Sequence, residues 1–354
     1  MSNQEEKPIN LAADLHLHTP DEPVNITPLP SEHFPIGPFN PSIIANIEIE
    51  AKYHALAGAL GAPVGNTTAA TNDGYVRLYQ YGMIAYKQGI GAHAVYGAIY
   101  QKYITLGREE GFLGYPVTDE TGTPDGIGRF NRFQYGMIYW TPETGAHEIH
   151  GAILALWSSL GYEISPQGYP TSDETAAPDG VGRFNNFQHG SIYWSPQSGA
   201  LVIPVVQTWN SGYIAFSDGT ALGGTCQIVA NNNGDWTFSG HMHDSGFDTY
   251  DYGVAAVLVT PSGIGYTLTY QGRAEGTSAG LPFGTPRRDD DWTRSGNNPS
   301  LRDNWLQVAQ AVFKVEVTSQ DKLAGGISDL VQQALKDLAQ KGIEAGIIAL
   351  ISLL

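Results

Sequence analysis

The sequence contains one cysteine, few charged residues and no long apolar run. Of its 354 residues only 15% are charged, and 18 Lys and Arg stand against 35 Asp and Glu, which gives a formal net charge of −17. This shortage of cations disfavours nucleic acid as a partner, because phosphate binding needs a cationic surface. The single cysteine, Cys226, excludes an internal disulfide and a multi-cysteine metal site. No stretch reaches the roughly 20 apolar residues of a membrane-spanning helix.

The amino terminus also lacks the pattern of a secretory leader. Residues 1–8 have neither a basic start nor an apolar segment, so the sequence predicts no signal peptide. The segment Asp14-Leu15-His16-Leu17-His18-Thr19 resembles the first metal-binding motif of the PHP phosphoesterases. A proline-rich stretch and a repeat follow it, where that family requires further His and Asp motifs. Residues 1–45 are therefore predicted to form a Pro-rich N-terminal arm.

The abundant residues are 43 Gly, 21 Pro and 19 Tyr, which favour short strands and tight turns. The middle of the chain repeats itself at an offset of 54 residues, and a more divergent copy comes first. The sequence predicts copies at 46–91, 92–145 and 146–200. The matching segments are Asp119-Glu120 with Asp173-Glu174, Gly128-Arg129-Phe130 with Gly182-Arg183-Phe184, and Ile138-Tyr139-Trp140 with Ile192-Tyr193-Trp194.

Each copy is predicted to be a helix, a loop and a hairpin. Ile149, Ile153 and Trp157 recur at helical spacing. The runs Arg129–Gln134 and Met137–Trp140 flank Tyr135-Gly136, which is typical of a two-residue turn with a glycine of positive φ. A single copy cannot bury its own apolar face, so the copies are expected to pack against one another.

These copies resemble the LGFP-repeat family, named for a Leu-Gly-Phe-Pro element. That element is present as Leu60-Gly61-Ala62-Pro63, Leu113-Gly114-Tyr115-Pro116 and Gln167-Gly168-Tyr169-Pro170. The resemblance implies a cell-surface or extracellular protein whose repeats anchor it to cell-wall polymers, and it implies no chemistry. The first copy departs from the pattern, with Asn66-Thr67 in place of Asp-Glu and Ala85-Tyr86 in place of Tyr-Trp.

The repeats contain the residue types that bind sugars, namely flat aromatic rings together with carboxylates and arginines. One interpretation is a ligand site at the junctions between copies. The other is that the same residues pack the copies against one another, because packing contacts recur from copy to copy as faithfully as functional contacts do. The candidate ligand residues are Trp140, Trp194, Tyr139, Tyr193, Asp119, Glu120, Asp173, Glu174, Arg129 and Arg183.

Residues 204–318 are predicted to form an antiparallel β-sandwich-like domain, because short strand-like runs alternate with Asn/Gly and Pro/Ser/Gly turns. His241 and His243 are expected to project from one face of a strand, a spacing that two-histidine metal sites use. Solvent-facing histidines are the alternative. The segment Arg287–Trp292 is interpreted as a mixed-charge loop.

Residues 319–354 carry apolar residues at helical spacing and predict a C-terminal amphipathic helix that ends in an apolar segment. The whole sequence therefore predicts an α+β chain with a three-copy helix-hairpin module over 46–203. The predicted function is non-catalytic binding of a cell-surface polysaccharide or peptidoglycan, without a cofactor. The alternative is a structural or delivery component whose C-terminal helix mediates self-association or membrane contact.

Overall fold

The computed structural model describes residues 40–56, 58–217, 219–280, 282, 284–319, 326–340 and 349–353. Residues 1–39 of the predicted N-terminal arm, including the motif with His16 and His18, lie outside these residues, whereas residues 41–45 begin a helix, Pro41–Ala55, and do not continue the arm. Within the described part of the chain, no helix is both long enough and apolar enough to span a membrane.

The described elements are mostly strands. The helices are α1 (Pro41–Ala55), α2 (Gly97–Thr105), α3 (Gly151–Leu160), α4 (Pro299–Asp303), α5 (Trp305–Val308) and α6 (Ile327–Gln340). The strands of the repeat region are β1 (Thr68–Ala70), β2 (Gly74–Tyr79), β3 (Gly82–Lys87), β4 (Gly91–Tyr96), β5 (Thr121–Gly122), β6 (Arg129–Phe133), β7 (Gly136–Thr141), β8 (Gly145–His150), β9 (Thr175–Ala176), β10 (Arg183–Phe187), β11 (Gly190–Ser195) and β12 (Gly199–Pro204). The later strands are β13 (Val206–Asn210), β14 (Ile214–Ala215), β15 (Leu222–Asn231), β16 (Asp235–Asp244), β17 (Tyr250–Val259), β18 (Ile264–Ala274), β19 (Asp289–Asn297), β20 (Val312–Ser319) and β21 (Ala349–Ser352).

Each repeat is a four-stranded antiparallel sheet with its strands in chain order: β1–β4, β5–β8 and β9–β12. The predicted α+β fold of helix-hairpin units is therefore wrong. The helical spacing of Ile149, Ile153 and Trp157 was misleading, because Ile149 lies on β8 and the other two lie on α3. The chain changes from strand to helix at Gly151, whose φ of +57° breaks the strand. The helices α2 and α3 thus connect successive sheets.

The predicted hairpin is present within each copy, but its glycine adopts the predicted positive φ only at Gly190 of copy three (+149°) and not at Gly82 or Gly136. Phe133 pairs with Gly136 across a turn of Gln134 and Tyr135. Gly136 does not adopt a positive φ. A β-carbon there would lie 2.6 Å from the side chain of Leu113 and 2.8 Å from the carbonyl oxygen of Ile149, so the position requires glycine for close packing.

Beyond the repeats, two sheets pack face to face. The first has the order β13-β15-β16-β19, with β14 also pairing with β15, and the second has the order β20-β17-β18-β21. Their shared core combines Ile228, Phe238 and Met242 of the first sheet with Val254 and Leu268 of the second. Alternation along these strands sends apolar residues inward, as expected for stacked sheets.

Three boundaries in this region differ from the predictions. The segment Arg287–Trp292, interpreted as a loop, leads into β19, which pairs with β16 along its whole length. This strand was missed because its inward residues include a buried carboxylate, Asp290, beside Trp292. The sequence also favours strands at 209–216 and 308–317; the first is divided between β13 and β14, and the second starts at the last residue of helix α5 and becomes β20 only at Val312.

The C-terminal region is not one helix. On α6, Val331, Ala334 and Leu338 are buried against Ala255, Val257 and Val259, which lie on the outward side of β17. Residues 349–352, predicted to extend the helix, instead form β21, which adds a parallel strand beside residues 264–267 of β18. A short segment of branched apolar residues gains ladder hydrogen bonds there.

Candidate functional site: the junctions between repeats

The aromatic residue of the Leu-Gly-Tyr-Pro element inserts into the preceding repeat. The hydroxyl of Tyr115 donates to the carbonyl oxygen of Thr71 in copy one over 2.6 Å. A β-carbon at Gly74 of that copy would overlap the Tyr115 ring. The contact therefore requires an aromatic side chain on one copy and a glycine on the copy before it.

The next junction uses the same arrangement. The Tyr169 hydroxyl lies 2.7 Å from both carboxylate oxygens of Asp125 and 2.8 Å from Oγ1 of Thr123. The ring covers Gly128, where a β-carbon would lie 2.7 Å from Cε1 of Tyr169. Partial burial acts to raise the pKa of Asp125, but hydrogen bonds from Thr123, Ile127, Tyr169 and Gly128 outweigh it and lower the pKa.

In the part of the chain that the structure describes, the equivalent glycine of copy three, Gly182, is not covered by the tyrosine of a further repeat. A β-carbon at Gly182 would overlap the ring of Tyr193, which belongs to the same copy. The Tyr193 hydroxyl donates to Oδ2 of Asp179 over 2.7 Å, and the amide of Gln307 on α5 donates to the same oxygen over 2.6 Å. The β-sandwich thus contacts the last copy at the position where the earlier copies contact one another.

The predicted ligand residues Asp119 and Asp173 form a second set of junction contacts. Asp119 accepts from Lys52 of α1 over 2.6 Å and from the N–H of Ala94 on β4 over 2.9 Å. Asp173 accepts from Lys102 over 2.7 Å and from the N–H of Glu148 over 3.2 Å. Each of these aspartates therefore ties a copy to the helix and the strand that precede it.

Histidines complete these two clusters. His93 Nδ1 lies 3.6 Å from Asp119, and His147 Nδ1 lies 3.3 Å from Asp173. Partial burial acts to raise the pKa of each aspartate, but the nearby histidine and the hydrogen bonds from the lysine and the backbone prevail and lower it to about 2. Both aspartates are therefore ionised at neutral pH.

The other predicted carboxylates are paired within their own copy. Glu120 contacts Arg129, and Glu174 contacts Arg183, in the same geometry in both copies. Copy three adds His150, whose Nδ1 lies 2.8 Å from the buried Glu148 and whose Nε2 lies 3.5 Å from Glu174. A hydrogen bond from protonated His150 to Glu148 raises the pKa of the histidine.

The predicted aromatic residues differ in exposure. Tyr139 and Tyr193 are 3% and 4% exposed and belong to the apolar cores. Trp140 and Trp194 are partly buried, and each packs against the core at a junction between copies. The structure therefore places Asp119 and Asp173 in ion pairs at the junctions and Glu120 and Glu174 in ion pairs within their own copies, and it leaves the two indoles partly exposed.

An exposed ring that the sequence reasoning did not single out lies at the hairpin turn of each copy. Tyr81 is 61% exposed and Tyr135 is 67% exposed, and His189 is the exposed counterpart in copy three. Each turn is held in the same way, since Gln80, Gln134 and Gln188 accept a hydrogen bond from the third residue of the Leu-Gly-x-Pro element. The offset of 54 residues between Tyr81 and Tyr135 was visible in the sequence, but their exposure was not.

The predicted metal pair lies on the outer face of β16. His241 Nδ1 is 2.8 Å from Asp291, and His243 Nδ1 is 2.7 Å from Asp289, with all four side chains exposed. Within the described residues, no group of three or more His, Cys, Asp or Glu is arranged to hold a metal ion. The two histidines pair with the aspartates of the neighbouring strand β19.

The shared junction contacts define a tandem-repeat module joined to a β-sandwich. A sequence model described as LGFP repeat matches residues 60–111, 113–165 and 168–218. The chain therefore contains three LGFP repeats, as the resemblance predicted. LGFP repeats are a cell-wall-associated family, which suggests an association with the cell surface.

No curated protein matches the chain. One solved structure that aligns with it is the extracellular domain of a proposed one-component system from B. thetaiotaomicron, at 8% identity and a TM-score of 0.12. The alignment covers 67% of this chain and 36% of the other. At that TM-score the likeness supports no conclusion about fold or function.

Proposed function

We propose that the protein is a non-catalytic binding protein that recognises a cell-wall polysaccharide or peptidoglycan through its LGFP repeats. The observation that carries this proposal is the exposed ring at the turn of successive repeats, Tyr81 and Tyr135. Such rings offer flat apolar faces to the C–H groups of sugars, and their recurrence suits a polymer that repeats as well. The half-exposed indoles of Trp140 and Trp194 add apolar surface at the junctions.

The charges support a binding role that does not depend on catalysis. The four predicted ligand carboxylates, Asp119, Glu120, Asp173 and Glu174, are held in pairs with Lys, Arg and His, so these four are not arranged as a free acid and base. The formal net charge of −17 favours an uncharged glycan over an anionic polymer, because like charges repel.

The alternative function, assembly or membrane contact through residues 319–354, has less support. In the described part of this segment, the buried side chains of α6 lie against the chain's own strand β17. The helix therefore has no need of a partner to cover them.

The test is cosedimentation of the full-length protein with insoluble wall polysaccharide and with peptidoglycan. We expect Tyr81→Ala with Tyr135→Ala to weaken retention by about tenfold or more, since truncating exposed aromatic contacts commonly costs more than 1 kcal/mol. Phe247→Ala is the matched control, because Phe247 is 61% exposed and lies outside the matched repeats, between β16 and β17. Retention that is equal in both variants, or absent in the unmodified protein, would refute the proposal.

A further inference from the structure

Copy two contacts copy three through a surface that copy three also has. On copy three, no further repeat among the described residues covers this surface. In copy two this surface includes Asp125, which accepts from Tyr169, and Glu143, which accepts from the amide of Gln188 over 3.3 Å. The equivalent residues of copy three are Asp179 and Gln197. They face the β-sandwich, which does not have the shape of a repeat.

Two adjoining cavities of about 230 and 500 Å³ lie between copy three and the β-sandwich. Both are lined by Asp179, Ser262 and Gln307. The apolar walls are Val181 and Pro261 in the larger cavity and Ile264 and Leu306 in the smaller one. A concave, mainly apolar site with a few converging polar groups at a domain junction is typical of small-molecule binding.

The polar groups of this site define the chemistry of its ligand. They are mostly amides and hydroxyls, and no Lys, Arg or His lines either cavity. The carboxylate of Asp179 is already engaged by Tyr193, Gln307 and the N–H groups of Val181 and Gly182. Such a site offers partners to hydroxyl and acetamide groups but no cation to an anion.

A second copy of the chain does not suit the site. A repeat that docks on this surface inserts the aromatic residue of its Leu-Gly-x-Pro element, as Tyr169 does. The first repeat has Ala62 at that position, so it brings no ring.

We infer that this cavity binds an uncharged sugar residue, at a site separate from the exposed tyrosines of the repeat turns. This inference does not rest on the proposed function. In the larger cavity, a sugar ring with hydroxyl or acetamide groups places its apolar face on Val181 and Pro261 and its polar groups toward the amides of Gln307 and Gln310.

The test is an NMR titration of the full-length protein with glucose, N-acetylglucosamine and glucuronate as separate probes. We expect saturable shifts with at least one neutral sugar, centred on the residues that line the cavities, and at least tenfold weaker binding of glucuronate. Val181→Trp is expected to weaken neutral-sugar binding by at least tenfold by filling the cavity. Ile127→Trp, which adds the same bulk at the equivalent exposed loop of copy two, should bind as the unmodified protein does.

The inference is overturned if neither neutral sugar gives a saturable shift, if Val181→Trp binds normally, or if glucuronate binds as tightly. In the variant Tyr81→Ala with Tyr135→Ala, the shifts of the residues that line the cavities should stay unchanged, whereas any shifts at the repeat turns should disappear. A failure of the repeat surface to bind wall material is thereby distinguished from a failure of the cavity.

Discussion

At the scale of single residues, the third position of the Leu-Gly-x-Pro element is a contact between repeats. It is Tyr115 and Tyr169 in copies two and three, and each ring lies on a glycine of the copy before it. It is Ala62 in copy one, the first of the three matched repeats. The third residue of the motif therefore forms the contact with the preceding repeat.

Removing the hydroxyl of Tyr169 should destabilise the module without opening the junction. Tyr169→Phe leaves the ring in place but takes a donor from the Asp125 carboxylate, so we expect a loss of about 1.5–3 kcal/mol in the free energy of unfolding, as for a hydrogen bond to a charged group. Urea unfolding measures it. Tyr213→Phe, at an exposed position, serves as the control, and equal losses in the two variants would contradict the role of Tyr169.

The sequence predicted which residues lie at the junctions better than it predicted their burial and their pairing. Alternation along the strand indicated that one of Tyr139 and Trp140 lies in the core, and Tyr139 is the buried one. The sequence did not reveal that Asp119 is already bound by Lys52, because that partner lies 67 residues earlier and outside the clear part of the repeat. The pairing depends on how sheets and helices stack, which spacing alone does not encode.

At the scale of elements, the main difference between prediction and structure is the change from strand to helix at Gly151. The apolar pattern of residues 149–160 continues across Gly151, so periodicity alone could not separate β8 from α3. Strand β19 was missed for the opposite reason. Its consecutive acids resemble a solvated loop, whereas the structure buries Asp290 under hydrogen bonds from Tyr252, Tyr270 and Arg287.

The packing of α6 on β17 makes a prediction about this element. Leu338 is 3% exposed against the sheet, and Leu338→Ala should destabilise the β-sandwich by about 2–5 kcal/mol, as for other buried leucines. Gln332→Ala, on the exposed side of the same helix, should change the midpoint of urea unfolding little. Unaltered stability in Leu338→Ala would mean that the helix is not docked in solution.

At the scale of the whole molecule, two aspartate clusters join the repeats to their predecessors and should make stability depend on pH. The pKa values of Asp119 and Asp173 are lowered to about 2 in the folded protein. The usual value of about 4 applies to the unfolded chain. A lowered folded pKa contributes stability that is fully present above the unfolded pKa and is lost as the pH falls toward the folded value.

We therefore expect the unmodified protein to be more stable than the variant Asp119→Asn with Asp173→Asn at pH 7. That difference should shrink as the pH falls from about 4 to 2. Urea unfolding at several pH values measures the difference directly. A gap that stays constant over this range would show that the two aspartates do not carry the expected ionic coupling.

The alanine at position 62 also restricts how such a chain can lengthen in evolution. Copies two and three each carry a tyrosine that inserts into the preceding copy, Tyr115 or Tyr169, and a glycine at the position that lies under such a ring, Gly128 or Gly182. Tandem duplication of either copy would create new junctions of the existing kind. A copy added before the first repeat would meet Ala62, which brings no ring, so growth of the array is disfavoured at that end.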